Sequence, residues 1–211
     1  MRLALLAVCV LALAACGGGN GQSDTVASGC EEVDTPTAKA DGGAVKPSAP
    51  LDPAKTYVLV VETSCGDFEM TLDQKLAPET APSLVSLAES GFYDDTIIHR
   101  VVPDFVIQGG DPTGTGSGGP GYSTVDAPPA DATYTRGTVA MAKGELDPPG
   151  TSGSQFFVVT GADAGLPPDY AIVGEISDGY DTVERIGALG DVTTQMPSQT
   201  VLVERVSVRE S

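Results

Sequence analysis

Two short stretches of this chain hold the residues best equipped for chemistry. The first reads Ile98-His99-Arg100-Val101-Val102-Pro103-Asp104-Phe105-Val106-Ile107-Gln108-Gly109-Gly110-Asp111, and the second Gly153-Ser154-Gln155-Phe156-Phe157. Both set hydrogen-bonding side chains among apolar and aromatic ones. In a strand, residues two apart share a face, which aligns Val106 with Gln108 and Gln155 with Phe157 and turns Phe156 the other way. Arg100 brings a planar guanidinium that stays charged at any relevant pH and offers its donors in a rigid fork, as lysine cannot. Such a group acts by donating hydrogen bonds from a fixed cation, without covalent attack.

Other chemistries find less support. His99 is the only histidine, so a His-rich zinc site cannot be assembled and a Ser-His-Asp triad would have to be built around this one ring. The plainer reading of His99 is a structurally hydrogen-bonded imidazole beside Arg100. Gly150-Thr151-Ser152-Gly153-Ser154 approaches the nucleophile-elbow pattern but lacks its closing glycine. Gly114 to Gly119 spells G-x-G-x-x-G, yet Pro120-Gly121 and Pro128-Pro129 break the helix that a dinucleotide site requires, so the run reads as a surface loop. The acidic residues are scattered rather than set at calcium-loop spacing. No metal and no cofactor is expected.

The elements that must position these groups follow from composition and pattern. The chain has 211 residues, 11 Lys and Arg against 29 Asp and Glu, a formal charge of −18 and a pI near 4.1. Such a charge repels phosphate backbones and argues against nucleic acid as a partner. A hydrophobic content of 41% excludes wholesale disorder, while 26 Gly and 16 Pro favour turns over a helical bundle. Eight β-type runs are expected, over 57–63, 68–72, 96–101, 105–108, 138–142, 155–160, 171–175 and 201–208. A helix signal lies between the second and third, with Pro78 near its start and Gly91 as its C-terminal cap; a shorter one covers 181–189. Eight strands suffice for a small closed antiparallel barrel filled by side chains and capped by two helices, which leaves any ligand to bind outside it.

Residues 1–15 read as a leader. About a dozen apolar residues is too few to span a bilayer, which takes roughly 20 in a helix. Leu13-Ala14-Ala15-Cys16 resembles the lipobox of bacterial lipoproteins, in which the cysteine is lipidated and becomes the mature N-terminus. Lipid on Cys16 would hold the protein at the extracytoplasmic face of a cell membrane. Residues 16–53 are rich in Gly, Ser, Thr, Ala and Pro and read as a flexible linker to a domain over 54–211. With Cys9 cleaved and Cys16 lipidated, Cys30 and Cys65 remain; they either pair in an oxidising compartment or stand as separate small residues.

The segment from Ile98 to Asp111, with Gly153 to Phe157 downstream, resembles the cyclophilins, the peptidyl-prolyl isomerases. Gly114 to Gly119, Met141-Ala142 and Leu166 to Gly174 extend the likeness, so most of residues 55–211 takes part in order. The family fold is an eight-stranded barrel capped by two helices. The resemblance assigns the principal catalytic role to Arg100 and the walls of a proline slot to Phe105, Val106, Phe157 and Leu166. It places Gln108 and Gln155 near the rotating amide, and an extended peptide along the backbone of Ala142 and Lys143. Tyr170 stands where many members have His, Lys143 where Asn is common, and Val106 where Met is frequent. Most members with strong cyclosporin affinity carry Trp near the position of Gly165, and this chain has no Trp, so the drug is expected to bind weakly.

The expected function is acceleration of X-Pro isomerisation in exported proteins, by a monomer whose partners are Pro-containing segments and, through its lipid, the membrane. The alternative is a catalytically weak peptide-binding or holdase module on the cell surface.

Overall fold

The computed structural model describes residues 29–211. The expected leader, the expected lipidation site Cys16 and the first part of the expected linker fall within residues 1–28 and lie outside the described residues. The strands are β1 (Tyr57–Thr63), β2 (Gly66–Leu72), β3 (Thr96–Ile97), β4 (Arg100–Val102), β5 (Val106–Gly109), β6 (Thr124–Val125), β7 (Thr138–Met141), β8 (Thr151–Ser152), β9 (Phe156–Val159), β10 (Ile172–Asp178) and β11 (Leu202–Glu210). Two helices, α1 (Thr80–Glu89) and α2 (Tyr180–Gly187), complete the order.

Nine of the strands form one sheet in the order β3-β11-β1-β2-β10-β7-β9-β5-β4, and β6 pairs with β8 apart from it. The expected closed eight-stranded barrel is therefore corrected to a curled, half-barrel sheet of nine strands. The run expected as one strand over 96–101 breaks at Ile98-His99: Thr96-Ile97 pairs with β11, and Arg100–Val102 pairs with β5. These two pieces are the opposite edges of the sheet. The chain passes from one to the other through Ile98-His99 and each pairs with a different strand, so the sheet's two edges are joined by covalent chain where a closed barrel would have a ladder.

Strand alternation sorts the apolar residues onto two faces. Ile107, Val139, Met141, Phe156, Val158 and Val173 point into the main core with Leu59, Val61, Phe68 and Met70. Their chain neighbours Val106, Ala140, Phe157 and Val159 belong to a second cluster on the other face. The main core is closed by α1, packed against β11, β1 and β6, and by α2, packed against β2, β5 and β4. No side chain of Glu79 caps α1. The buried carboxylate of Asp126 takes that role from a distant loop, accepting from Thr80 N at 2.7 Å and Glu79 N at 3.2 Å.

Residues 30–52 contain no helix or strand, as their composition implies, but they do not form a free linker. Cys30 is disulfide-bonded to Cys65, and Glu31 N donates to Ser64 O at 2.7 Å. Lys39 Nζ donates to three carbonyls past the end of α1, those of Gly91, Phe92 and Asp94, at 2.9, 3.1 and 2.7 Å. Further on, Gly42 N and Ala44 N donate to Gly119 O and Pro120 O. Gly42 and Gly121, both in left-handed backbone, cross so closely that a Cβ on Gly121 would meet Gly42 Cα at 3.1 Å. The docking comes chiefly from backbone groups, a disulfide and the side chains of Lys39, Asp41 and Lys46, with Ala44 and Leu51 touching the core, and not from the apolar periodicity by which composition reveals a packed segment. Among the described residues no helix is long and apolar enough to cross a membrane.

Candidate active site

The register of the sheet assembles what the strand pattern only grouped in pairs. Arg100 on β4 is the partner of Gln108 on β5, Gln108 of Phe157 on β9, and Phe157 of Ala140 on β7. One row thus crosses four strands on the face away from the main core. Flanking positions add Val106 opposite Val159, and Gln155 two residues before Phe157.

The apolar part of the site is the second cluster. Val106, Tyr134, Ala140, Phe157 and Val159 are buried, with Phe105, Ala142, Leu166 and Tyr170 partly buried against them. Phe157 and Tyr170 meet edge to face at 5.6 Å between centroids, and Tyr134 meets Tyr170 at 6.0 Å in the same manner. The Tyr134 hydroxyl donates to Tyr170 O at 2.7 Å and accepts from Tyr170 N at 3.0 Å, which pins that ring at the pocket's edge. The sequence reading missed Tyr134, which lies outside any strand and next to no motif. Aromatic content gives no sign that a ring is buried.

The polar part is a relay. Arg100 Nε donates to Gln195 Oε1 at 2.8 Å, and its Nη1 approaches Gln108 Oε1 at 3.4 Å. Gln108 Nε2 donates to Gln155 Oε1 at 3.0 Å, and Gln155 Nε2 to Gly118 O at 2.9 Å. Arg100 Cζ lies 5.8 Å from the Phe105 ring centroid, so the cation stands over an aromatic wall of the pocket. Burial lowers the pKa of Arg100, and the Tyr170 hydroxyl acts weakly the other way. The ordinary guanidinium value is so high that the charge persists.

Gly118 belongs to the glycine-rich loop, which is built around Asp111. Burial pushes that carboxyl up, but donation from the N–H and hydroxyl of Thr113 and from the N–H groups of Gly118 and Gly116 outweighs it and holds the pKa down. A Cβ on Gly118 would lie 2.2 Å from Asp111 Oδ1, so the loop closes there only on glycine. Between this loop and residues 142–147 runs a cleft of about 440 Å³, lined by Gln108, Gly118, Ala142, Lys143, Asp147 and Gln155 among others. A larger opening of about 750 Å³, beside Leu51, Leu72 and Leu76, holds none of the candidate site residues.

Ala142 N donates to Gln155 O at 2.9 Å, which ties the expected peptide-holding edge to the relay. Lys143 turns aside: its ammonium donates to Gly144 O and Asp147 O and sits 5.8 Å from the Tyr170 centroid. His99 is corrected. Both ring nitrogens are buried with no hydrogen-bond partner in the structure, where a hydrogen-bonded imidazole was expected. Burial lowers its pKa, Asp111 raises it and Arg100 lowers it further. Among the described residues no group of three or more His, Cys, Asp or Glu is placed to hold a metal.

Comparison with known proteins identifies the chain's relatives. The family model for cyclophilin-type peptidyl-prolyl cis-trans isomerases matches residues 58–208. A peptidyl-prolyl cis-trans isomerase of Arabidopsis thaliana is 34% identical over 154 residues, covering 71% of this chain and 92% of the relative. Peptidyl-prolyl cis-trans isomerase A of Mycobacterium tuberculosis is 34% identical over 174 residues, covering 74% and 94%. The crystal structure of a cyclophilin-type isomerase from Cryptosporidium parvum, 30% identical, superposes with a TM-score of 0.67 over 73% of this chain and 98% of that one. The same protein determined in the presence of the dipeptide Ala-Pro gives 0.66 at 30% identity, over 72% and 98%. A sheet that ranks Arg100, Gln108 and Phe157 in one row beside an aromatic pocket, within a matched span that covers most of the domain, places this chain in the cyclophilin family of peptidyl-prolyl cis-trans isomerases.

Proposed function

We propose that the chain speeds rotation about X-Pro bonds in exported proteins, held at the extracytoplasmic face of a membrane by lipid on Cys16. The reaction is rotation about a tertiary amide, opposed by conjugation of the nitrogen lone pair with the carbonyl, a barrier of roughly 18 to 20 kcal/mol. No bond is made or broken. The pocket of Phe105, Val106, Phe157 and Leu166 grips the pyrrolidine ring while the preceding carbonyl swings. The Arg100 fork donates either to the prolyl nitrogen as it pyramidalises or to the twisted carbonyl, and both lower the barrier. A cation that is already oriented and partly desolvated does this with little reorganisation during the step.

The observation that carries this reading is the relay itself: the fork stands over Phe105 and is aligned through Gln108 with Phe157. The test is exchange NMR on a short Ala-Pro peptide with the full chain. Arg100→Ala is expected to slow exchange by about 10² to 10³, and near-parental exchange in that variant would refute the assignment. Peptide shifts without faster exchange in the parent chain would instead identify a binding module.

Support for the extracytoplasmic setting comes from the leader with its Leu13-Ala14-Ala15-Cys16 ending and from the Cys30–Cys65 disulfide, which suits an oxidising compartment. Cys16→Ser is expected to release a soluble product, and unchanged membrane retention would sink the anchor.

A further inference from the structure

We propose that Gln195 is a positioning residue for Arg100, holding the guanidinium by its Nε–H so that the outer edge of the fork faces the substrate. This rests on the assignment of Arg100 made above. The Gln195 bond, at 2.8 Å, is the shorter of the two recorded for the guanidinium, against 3.4 Å to Gln108. It also restrains the Nε–H at the root of the fork, which sets the direction in which both terminal nitrogens point.

The loop that carries Gln195 is built to hold it still. Asp191 Oδ1 accepts from Thr193 N at 2.9 Å and Thr194 N at 2.7 Å, and Asp191 N donates to Met196 O at 3.1 Å. Gln195 N donates to Asp191 O at 2.7 Å, and Gln195 O accepts from Val101 N, the residue after Arg100, at 2.9 Å. Arg100 and Gln195 are thus tied through backbone as well as side chains. At the root of the loop, a Cβ on Gly190 would lie 2.8 Å from Val101 O, so the loop sits directly on β4.

Gln195 has φ 58, the left-handed region that glycine enters freely and other residues enter at a cost. Glycine would suit this backbone better. What glycine lacks is the amide that receives Arg100 Nε. Strain retained at a residue whose side chain touches the catalytic group points to a role for that side chain.

Gln195→Gly provides the test, because it removes the amide while favouring the loop. With the full chain and an Ala-Pro peptide, kcat is expected to fall about tenfold, as for a modest misplacement of a catalytic group, with KM within about twofold of the parent. The thermal midpoint should equal or exceed the parent's, and the Arg100 Nε–H resonance should broaden. Gln195→Glu keeps an oxygen at the same reach and should recover most of the lost rate. The double variant Arg100→Ala/Gln195→Gly should be no slower than Arg100→Ala alone. Parental kcat in Gln195→Gly, or an additive loss in the double variant, overturns the positioning role. If Arg100→Ala itself retains full activity, the catalytic assignment beneath it falls instead, so the two failures are distinguishable.

Discussion

Replacing Arg100 by lysine keeps the charge and removes the fork, and the structure indicates what should follow. The guanidinium donates from Nε to Gln195 and approaches Gln108 through Nη1, while its Cζ lies 5.8 Å from the Phe105 centroid. A lysine ammonium is a single nitrogen on a flexible stem, so it cannot make both bonds in the same geometry and still aim a donor at a rotating amide. Losing one directed hydrogen bond to a charged group costs about 1.5 to 3 kcal/mol. At about 1.4 kcal/mol per decade, kcat/KM for Arg100→Lys should drop roughly 10- to 10²-fold, a smaller loss than for Arg100→Ala. Exchange NMR or a protease-coupled assay on an Ala-Pro peptide reads this directly. A lysine variant within threefold of the parent would show that a nearby positive charge suffices, and the reasoning from fork geometry would be wrong.

His99 makes stability depend on pH. Its folded pKa is lowered chiefly by burial, so between its unfolded value of about 6.5 and that lower value the unfolded chain binds a proton that the folded chain does not. Stability should therefore fall as pH drops below about 6.5, and His99→Gln should flatten that part of a thermal-midpoint profile. Asp126→Ala should remove about 1 to 2 kcal/mol by leaving the first N–H groups of α1 without their carboxylate; an unchanged denaturation midpoint would show that solvent replaces the cap. Opening the Cys30–Cys65 link, with a sequence separation of 35, should cost about 4 kcal/mol on the chain-entropy model. Proteolysis under reducing conditions should then start within residues 31–38, upstream of the Lys39 clasp, and cleavage first in the domain would contradict this account.

The relation of strand pattern to site is instructive. Alternation along one strand was enough to separate Phe156 from Phe157 and to align Val106 with Gln108, because side chains in a strand alternate whatever lies beside them. The pairing of Arg100 with Gln108, and of Gln108 with Phe157, needed the register between strands, which depends on contacts distant in sequence. Gln195 and Tyr134 escaped notice for a related reason. One lies in a loop whose conformation is set by Asp191 and β4, the other in irregular chain buried by its neighbours, and neither leaves a periodic trace. The break at Ile98-His99 was hidden because β-type residues continue through it, and only competition between β11 and β5 for partners divides the run.

Residue type and order alone determined that the chain is β-rich, that a forked cation stands among apolar residues, and that the motifs from Ile98 to Asp111 and from Gly153 to Phe157 resemble those of prolyl isomerases. These properties are local, carried by side-chain chemistry and by a two-residue repeat that holds in any strand. Tertiary structure decided that the sheet curls without closing, that residues 30–52 are strapped to the domain, and that the ring nitrogens of His99 are buried without a hydrogen-bond partner. It also placed the Arg100 guanidinium between Gln195 and Gln108. Those outcomes depend on which backbone groups and side chains come together across long stretches of chain, where close approach and directed hydrogen bonds set the geometry.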